Sequence, residues 1–262
     1  MEISLQLQDA KPSAKIWRYM DLTKFLDLIL NKAIYLRRID KFEDPYEGYI
    51  SEAYKADLEN QYGSIQKEFN LAEEAKERLH STHLYGLELL PMYAYASCWY
   101  LGDVESAAMW KLYGDNKNCV AICSTIYDLQ VALDESDDDQ GVIHLQKIRY
   151  VDEASAVDAK NYLKPMFEKR MSFSHESEFR ALYLLRKGLV NLNRPLHFPQ
   201  LKKEDVSNED GLALSVDVLK LINKIYISPT ADQHFHSIVE KILELAGLNG
   251  VECIQSELYK LK

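Results

Sequence analysis

The sequence predicts a single α+β domain, with mixed or antiparallel sheets flanked by helices and a charged helical insertion near the N-terminal third. Three observations carry that expectation. Short alternating or apolar runs at 15–20, 92–99 and 119–123 have strand character, whereas Leu22, Phe25, Leu26, Ile29 and Leu30 recur at helical spacing. Residues 51–83 are charged and helix-forming. No internal repeat or long polar linker divides the 262 residues, a length that can bury a substantial core.

Lys15–Met20 reads as the first strand, and Asp21 as the N-cap of the helix that follows. Ala33–Arg38 is a second short strand. Lys41-Phe-Glu-Asp-Pro-Tyr-Glu-Gly48 is turn chemistry, because Pro45 forces Asp44 out of the helical region. The insertion, 51–83, reads as a solvent-exposed arm interrupted near Gly63. Met92–Trp99 alternates small and aromatic residues as a strand does. Glu105–Tyr113 is a short helix stopped by Gly114, and Cys119–Cys123 a buried strand. Ser124 caps the next helix, which leads into the acidic loop 134–139. Gly141–Val151 reads as a strand, and Glu153–Met171 as helical with a break at Pro165. Strands near 212–218 and 224–227, a helix over 232–246 and a strand at 251–258 complete the chain.

Composition narrows the function. A net charge of -10 speaks against a general nucleic-acid or membrane-surface binder, since phosphate contacts need a positive face. No stretch approaches the roughly 20 apolar residues of a membrane span. Residues 1–9 lack the basic and apolar regions of a secretion signal. Cys98, Cys119, Cys123 and Cys253 lie in or beside apolar runs without CxxC spacing, the pattern of buried free thiols in a reducing compartment. A cytoplasmic location is expected.

The polar stretch His175-Glu-Ser-Glu-Phe-Arg180 opens an apolar run. In an extended chain Glu176, Glu178 and Arg180 would share a face, with Phe179, Ala181 and Tyr183 on the other. Such a pattern is either a site or a salt-bridged strand end. Asp44 and Glu47 either add carboxylates to a site or close a rigid turn. Arg18 and Ser97, on strands flanked by aromatic residues, each require a polar partner if they point inward. No glycine-rich phosphate loop and no GxSxG elbow occurs. The histidines form no ligand set, so no metal is expected.

Several phrases recur together in order: Ile16-Trp-Arg-Tyr19, Ala33-Ile-Tyr-Leu36, Phe42-Glu-Asp-Pro-Tyr-Glu47, Ser97-Cys-Trp99, Met109-Trp-Lys-Leu-Tyr-Gly114, His175–Arg180 and Ile225-Tyr-Ile-Ser-Pro229. As a set they resemble the bacterial domain-of-unknown-function family 2971, across nearly the whole chain. More distantly, the order Arg on an early strand, Ser on a middle strand and Glu-x-Glu at a later strand start is similar to the Arg-Ser-Glu class of ADP-ribosyltransferases. That resemblance implies NAD as substrate, with Arg18 on its phosphates and Ser97 on its ribose. It implies Glu178 as the catalytic carboxylate, Glu176 as selector or activator of the acceptor, and Trp99 or Tyr113 stacked on nicotinamide. The middle motif here is Ser-Cys-Trp where that class often has Ser-Thr-Ser. The implied protein is a bacterial toxin or defence factor transferring ADP-ribose to an unknown acceptor. Two other classes stay open: a non-enzymatic interaction module using the charged arm, and a nucleic-acid enzyme using Glu176 and Glu178 with a divalent metal.

Overall fold

The structure is a computed structural model that describes residues 2–7, 10–114, 117–134, 139–152, 159–186 and 201–261. The strands are β1 (Glu2–Gln6), β2 (Lys15–Asp21), β3 (Ala33–Arg38), β4 (Ala94–Leu101), β5 (Cys119–Thr125) and β6 (Gly141–Lys147). They continue as β7 (Arg149–Val151), β8 (Glu168–Arg170), β9 (Glu178–Leu185), β10 (Gly211–Ser215), β11 (Lys224–Ile227) and β12 (Glu252–Gln255). The helices are α1 (Leu22–Asn31), α2 (Glu52–Phe69), α3 (Glu73–Leu89), α4 (Ala107–Tyr113), α5 (Ile126–Asp134), α6 (Val218–Leu221) and α7 (Gln233–Leu245). This is an α+β fold around a mixed sheet.

The main sheet runs β1-β6-β9-β4-β2-β5-β11-β12. Its outer pairs β1–β6 and β11–β12 are parallel, and the strands between are antiparallel. β4 forks. Its C-terminal end pairs with β2 through Trp17 and Tyr100, while its N-terminal end pairs with β3 through Arg38 and Tyr95. β10 extends the β3 branch.

One face of the sheet packs against α1, α5, α6 and α7 through Phe25, Ile29, Leu129, Leu133, Leu221, Phe235 and Val239. The i, i+3, i+4 spacing within α1 and α7 turns one side of each helix inward. The opposite face carries two separate apolar clusters. One joins Ala94, Ala96, Leu182 and Leu184 to Met166 and Phe167; the other joins Trp17, Tyr19, Met109, Trp110 and Cys123. Between them, along β4 and β9, lie Cys98, Tyr100, Glu178 and Arg180.

Local chemistry accounts for many boundaries. The Asp21 carboxylate accepts from the Lys24 N–H at 2.8 Å and starts α1; Lys32, in the left-handed region at φ 48°, ends it. Thr125, not Ser124, caps α5: its Oγ1 accepts from the Asp128 N–H at 3.1 Å, while the Ser124 hydroxyl is buried in the strand. α2 runs unbroken through Gly63, and the chain turns at Asn70, φ 48°. α3 continues beyond His83 to Leu89. The arm is not solvent-exposed throughout, since Tyr54, Leu58, Tyr62 and Leu87 pack together with Ala159.

Elsewhere the expected pattern is corrected. Within 159–171 there is no helix of the α type; Pro165 sits in a tight 3-10 turn at Lys164–Phe167, and β8 follows directly. Residues 153–158 of that expected helix, and 135–138 of the acidic loop, lie outside the described residues. The single expected strand 141–151 is two, with Ile148 between β6 and β7. β1, which alternates weakly, pairs in parallel with β6. β10 ends at Ser215, and Asp217 then caps α6, so the expected strand over 212–218 is shorter. The last strand is likewise confined to Glu252–Gln255.

Candidate functional site

Strand register decides which of the expected site residues meet. Opposed residues on antiparallel strands share a face. Trp17 opposes Tyr100, and Tyr100 opposes Glu178, so these three point the same way. Arg18, Ser97 and Trp99 fall on the other face, Trp99 opposing Phe179 and Ser97 opposing Ala181. The sheet therefore separates Glu178 from Arg18 and Ser97, and the expected Arg-Ser-Glu constellation does not assemble in one cleft.

Each displaced residue has a structural occupation. Arg18 donates from Nη2 to the Tyr35 carbonyl at 2.9 Å across the fork, with its guanidinium 5.8 Å from the Trp99 ring centre. Burial lowers its pKa to about 10, so it stays charged at neutral pH. The Ser97 hydroxyl accepts from the Trp99 indole N–H at 3.1 Å. Trp99 is 1% exposed, which closes it to a stacking ligand.

On the Glu178 face a compact charge cluster forms at the seam between the two apolar clusters. Arg180 donates from Nε to Glu178 Oε1 at 2.6 Å, from Nη1 to the Met166 carbonyl at 2.7 Å, and from Nη2 to Glu47. The Lys169 ammonium reaches Glu176 at 2.5 Å, Glu178 at 3.1 Å and Glu47 at 3.2 Å. Three carboxylates thus surround two cations, leaving one net negative charge. Glu178 and Arg180 are fully enclosed (2% and 0% exposed); Glu176 is the member nearest solvent.

The Glu-x-Glu spacing converges for a reason other than strand alternation. Glu176 lies in a 3-10 turn, Met171–Glu176, and β9 begins only at Glu178. Ser177 between them adopts φ 40°, the left-handed region, and is tied to β4: its hydroxyl donates to the Leu101 carbonyl and its carbonyl accepts from the Leu101 N–H. This kink brings both carboxylates to one ammonium. The Tyr150 hydroxyl accepts from the Glu178 N–H at 2.8 Å and fixes the strand start.

The electrostatics follow from enclosure and partners. Burial pushes the Glu178 carboxyl up, but Arg180 and Lys169 overcome it and hold the group at about 2. Burial opposes the charge on Lys169, yet Glu178 and Glu47 raise its pKa above the ordinary lysine value. Burial and then Glu178 push the Cys98 thiol well up, so it is no nucleophile at neutral pH. Tyr113, at the end of α4, is 49% exposed, and its hydroxyl is raised by burial and by Glu176. An ionised carboxylate beside a second, more accessible one can stabilise a developing positive charge.

Glu47 and Lys169 are the members the motif reading did not place in the centre. The turn around Pro45 does both things weighed for it: it is rigid, and it delivers a carboxylate. Lys169 had no signal, because its surroundings read as helix. Among the described residues no group of His, Cys, Asp and Glu suits a metal ion, and no helix is long and apolar enough to cross a membrane. All four cysteines are free thiols, Cys119 and Cys123 buried, Cys98 and Cys253 partly so. Compared with known proteins, the chain matches no family model, no curated protein and no solved structure.

Proposed function

We propose that the protein is an ADP-ribosyltransferase-like enzyme acting on NAD, with its chemistry centred on Glu178 and the substrate on the Glu178 face of the sheet. The observation that carries this reading is the enclosed, ionised Glu178 beside the more accessible Glu176, within reach of the half-exposed Tyr113. As the bond from ribose to nicotinamide breaks, positive charge develops on the ribose, which meets the accessible Glu176, while the enclosed Glu178 carboxylate behind it opposes that charge through space. Nicotinamide leaves with the bonding electrons. The acceptor then bonds to the same carbon and gives its proton to Glu176. Lys169, on a flexible stem, moves from the carboxylates to the pyrophosphate, the task the family pattern gives to Arg18. Trp99 and Ser97 take no part; Tyr113 supplies the stacking face.

Nicotinamide release from NAD, followed by chromatography, tests the reading. The wild-type protein should release it and Glu178→Gln should not, with circular dichroism confirming that the variant is folded. Stabilisation of the native state by NAD in a thermal-shift series gives a second measurement. If the wild-type protein neither binds nor cleaves NAD, the reading fails.

A non-enzymatic interaction module has its own support. The ion cluster is closed without a ligand, every charge already having a partner, and α3 turns Glu74, Glu77, Arg78 and Tyr85 outward. Reversing the charges of Glu74, Glu77 and Arg78 should abolish partner binding without changing the melting temperature. Unchanged binding by that variant sinks this second reading.

A further inference from the structure

Beside the charge cluster lies an array of planar groups, its tyrosines exposed and its phenylalanine half-buried. The Arg170 guanidinium stands 4.5 Å from the centre of the Tyr46 ring and 5.3 Å from that of Phe173, and Tyr49 meets Tyr46 edge-on at 5.9 Å. Arg170 is pinned by a buried carboxylate: Nη2 donates to Asp44 Oδ1 at 3.0 Å and Nε to Asp44 Oδ2 at 3.3 Å. The same Asp44 accepts from the Tyr46 N–H at 3.1 Å, so one residue sets both the ring and the guanidinium. Tyr46 keeps 55% of its surface exposed and the Arg170 side chain 48%. For the Arg170 Nη1 no hydrogen bond is found among the described residues.

A salt bridge needed only for stability has no use for an exposed tyrosine ring set against its guanidinium, with a second, half-buried ring beside it. A planar ligand does. Pre-set aromatic and guanidinium planes stack on a nucleobase without regard to sequence, because every base has a π-face, and an outward guanidinium edge offers donors to a phosphate. The array also touches the cluster directly, since the Lys169 ammonium lies 5.4 Å from the Phe173 ring. Resting on the NAD reading above, we propose that Tyr46, Arg170 and Phe173 form the ledge that takes the adenine end of the dinucleotide, with Arg170 Nη1 toward its adjoining phosphate. The nicotinamide end then lies toward Glu176 and Tyr113.

Calorimetric titration with two probes tests this: ADP-ribose, which has the adenine, and nicotinamide mononucleotide, which lacks it. Tyr46→Ala and Phe173→Ala should each weaken ADP-ribose binding about tenfold and leave nicotinamide mononucleotide unchanged, while Tyr46→Phe keeps wild-type affinity. Melting temperatures check that the variants fold; Tyr46, being exposed, supports no core. If the wild-type protein binds ADP-ribose and both alanine variants bind it equally well, the ledge is overturned and the NAD reading stands. Loss of both probes to the same extent overturns it as well. If the wild-type protein binds neither probe, both proposals fall together.

Discussion

Arg18 and Glu178 stand on opposite faces of one sheet, separated by the register that sets Trp17 against Tyr100 and Tyr100 against Glu178. Adjacent residues of a strand point to opposite sides, so no rotamer change brings the Arg18 guanidinium to the Glu178 carboxylate. The consequence for Arg18 is specific. Arg18→Ala removes its bond to the Tyr35 carbonyl and its place over Trp99, and should cost about 1–3 kcal/mol of stability. The KM for NAD should stay within about twofold of wild type. Steady-state kinetics and a urea titration on the same preparation make the comparison; a large rise in KM at unchanged stability would return Arg18 to the site.

Glu178 should set the acid limit of stability. Its folded-state carboxyl is held at about 2 against an ordinary value of 4.5, so in acid the unfolded chain takes up a proton that the folded one refuses. The contribution is present above the unfolded value and is lost as the pH falls from about 5 toward 2. In Glu178→Gln that acid slope should be shallower. Neutral-pH stability should drop by about 3–5 kcal/mol, because Arg180 and Lys169 stay buried with one fewer carboxylate. Urea midpoints at intervals between pH 7 and 2.5 measure both effects, and parallel curves for the two proteins would refute the assignment.

How much of this was legible in the sequence depended on whether neighbours along the chain or neighbours across it decided the matter. Asp21 as a helix cap, the periodicity of 22–30 and the alternation of 92–99 are local signals, and the elements they predict are present. The face on which Arg18 lies follows from the pairing of its neighbour Trp17 with Tyr100, some eighty residues away, and no local signal carries that. Glu176 and Glu178 were recognised as a pair, but alternation was the wrong reason for their meeting: Ser177 leaves the extended region, and the convergence comes from its kink. Lys169 was hidden by composition. The run before it has helical character in isolation, yet Pro165 and packing of Met166 and Phe167 against the sheet override propensity.

Ser177 offers a direct measure of what the kink is worth. At φ 40° a Cβ is disfavoured, and the Ser177 hydroxyl bond to the Leu101 carbonyl, 2.9 Å, compensates. Ser177→Ala keeps the strain and loses the bond, and should cost about 1 kcal/mol. Ser177→Gly loses the bond but also the strain, and should fall within about 0.5 kcal/mol of wild type. Ser177→Val, β-branched in the left-handed region, should be the worst of the three. Thermal unfolding ranks them; an alanine variant as stable as the glycine one would show that the hydroxyl bond, rather than φ, governs the site.

Gly63 permits a prediction of the opposite sign. Its composition suggested a break in the arm, but α2 passes through it with ordinary helical geometry, and a Cβ built there meets nothing within 4 Å. A glycine inside a helix loses more backbone freedom on folding than alanine does, and here no compensating contact requires it. Gly63→Ala should therefore stabilise the protein by about 0.5–1 kcal/mol. The gain should appear in amide exchange as slower opening of α2, since the substitution acts within that helix. Because Tyr62 next to it packs inward, a loss of stability instead would mean that the α2–α3 contact needs the bare backbone at this turn.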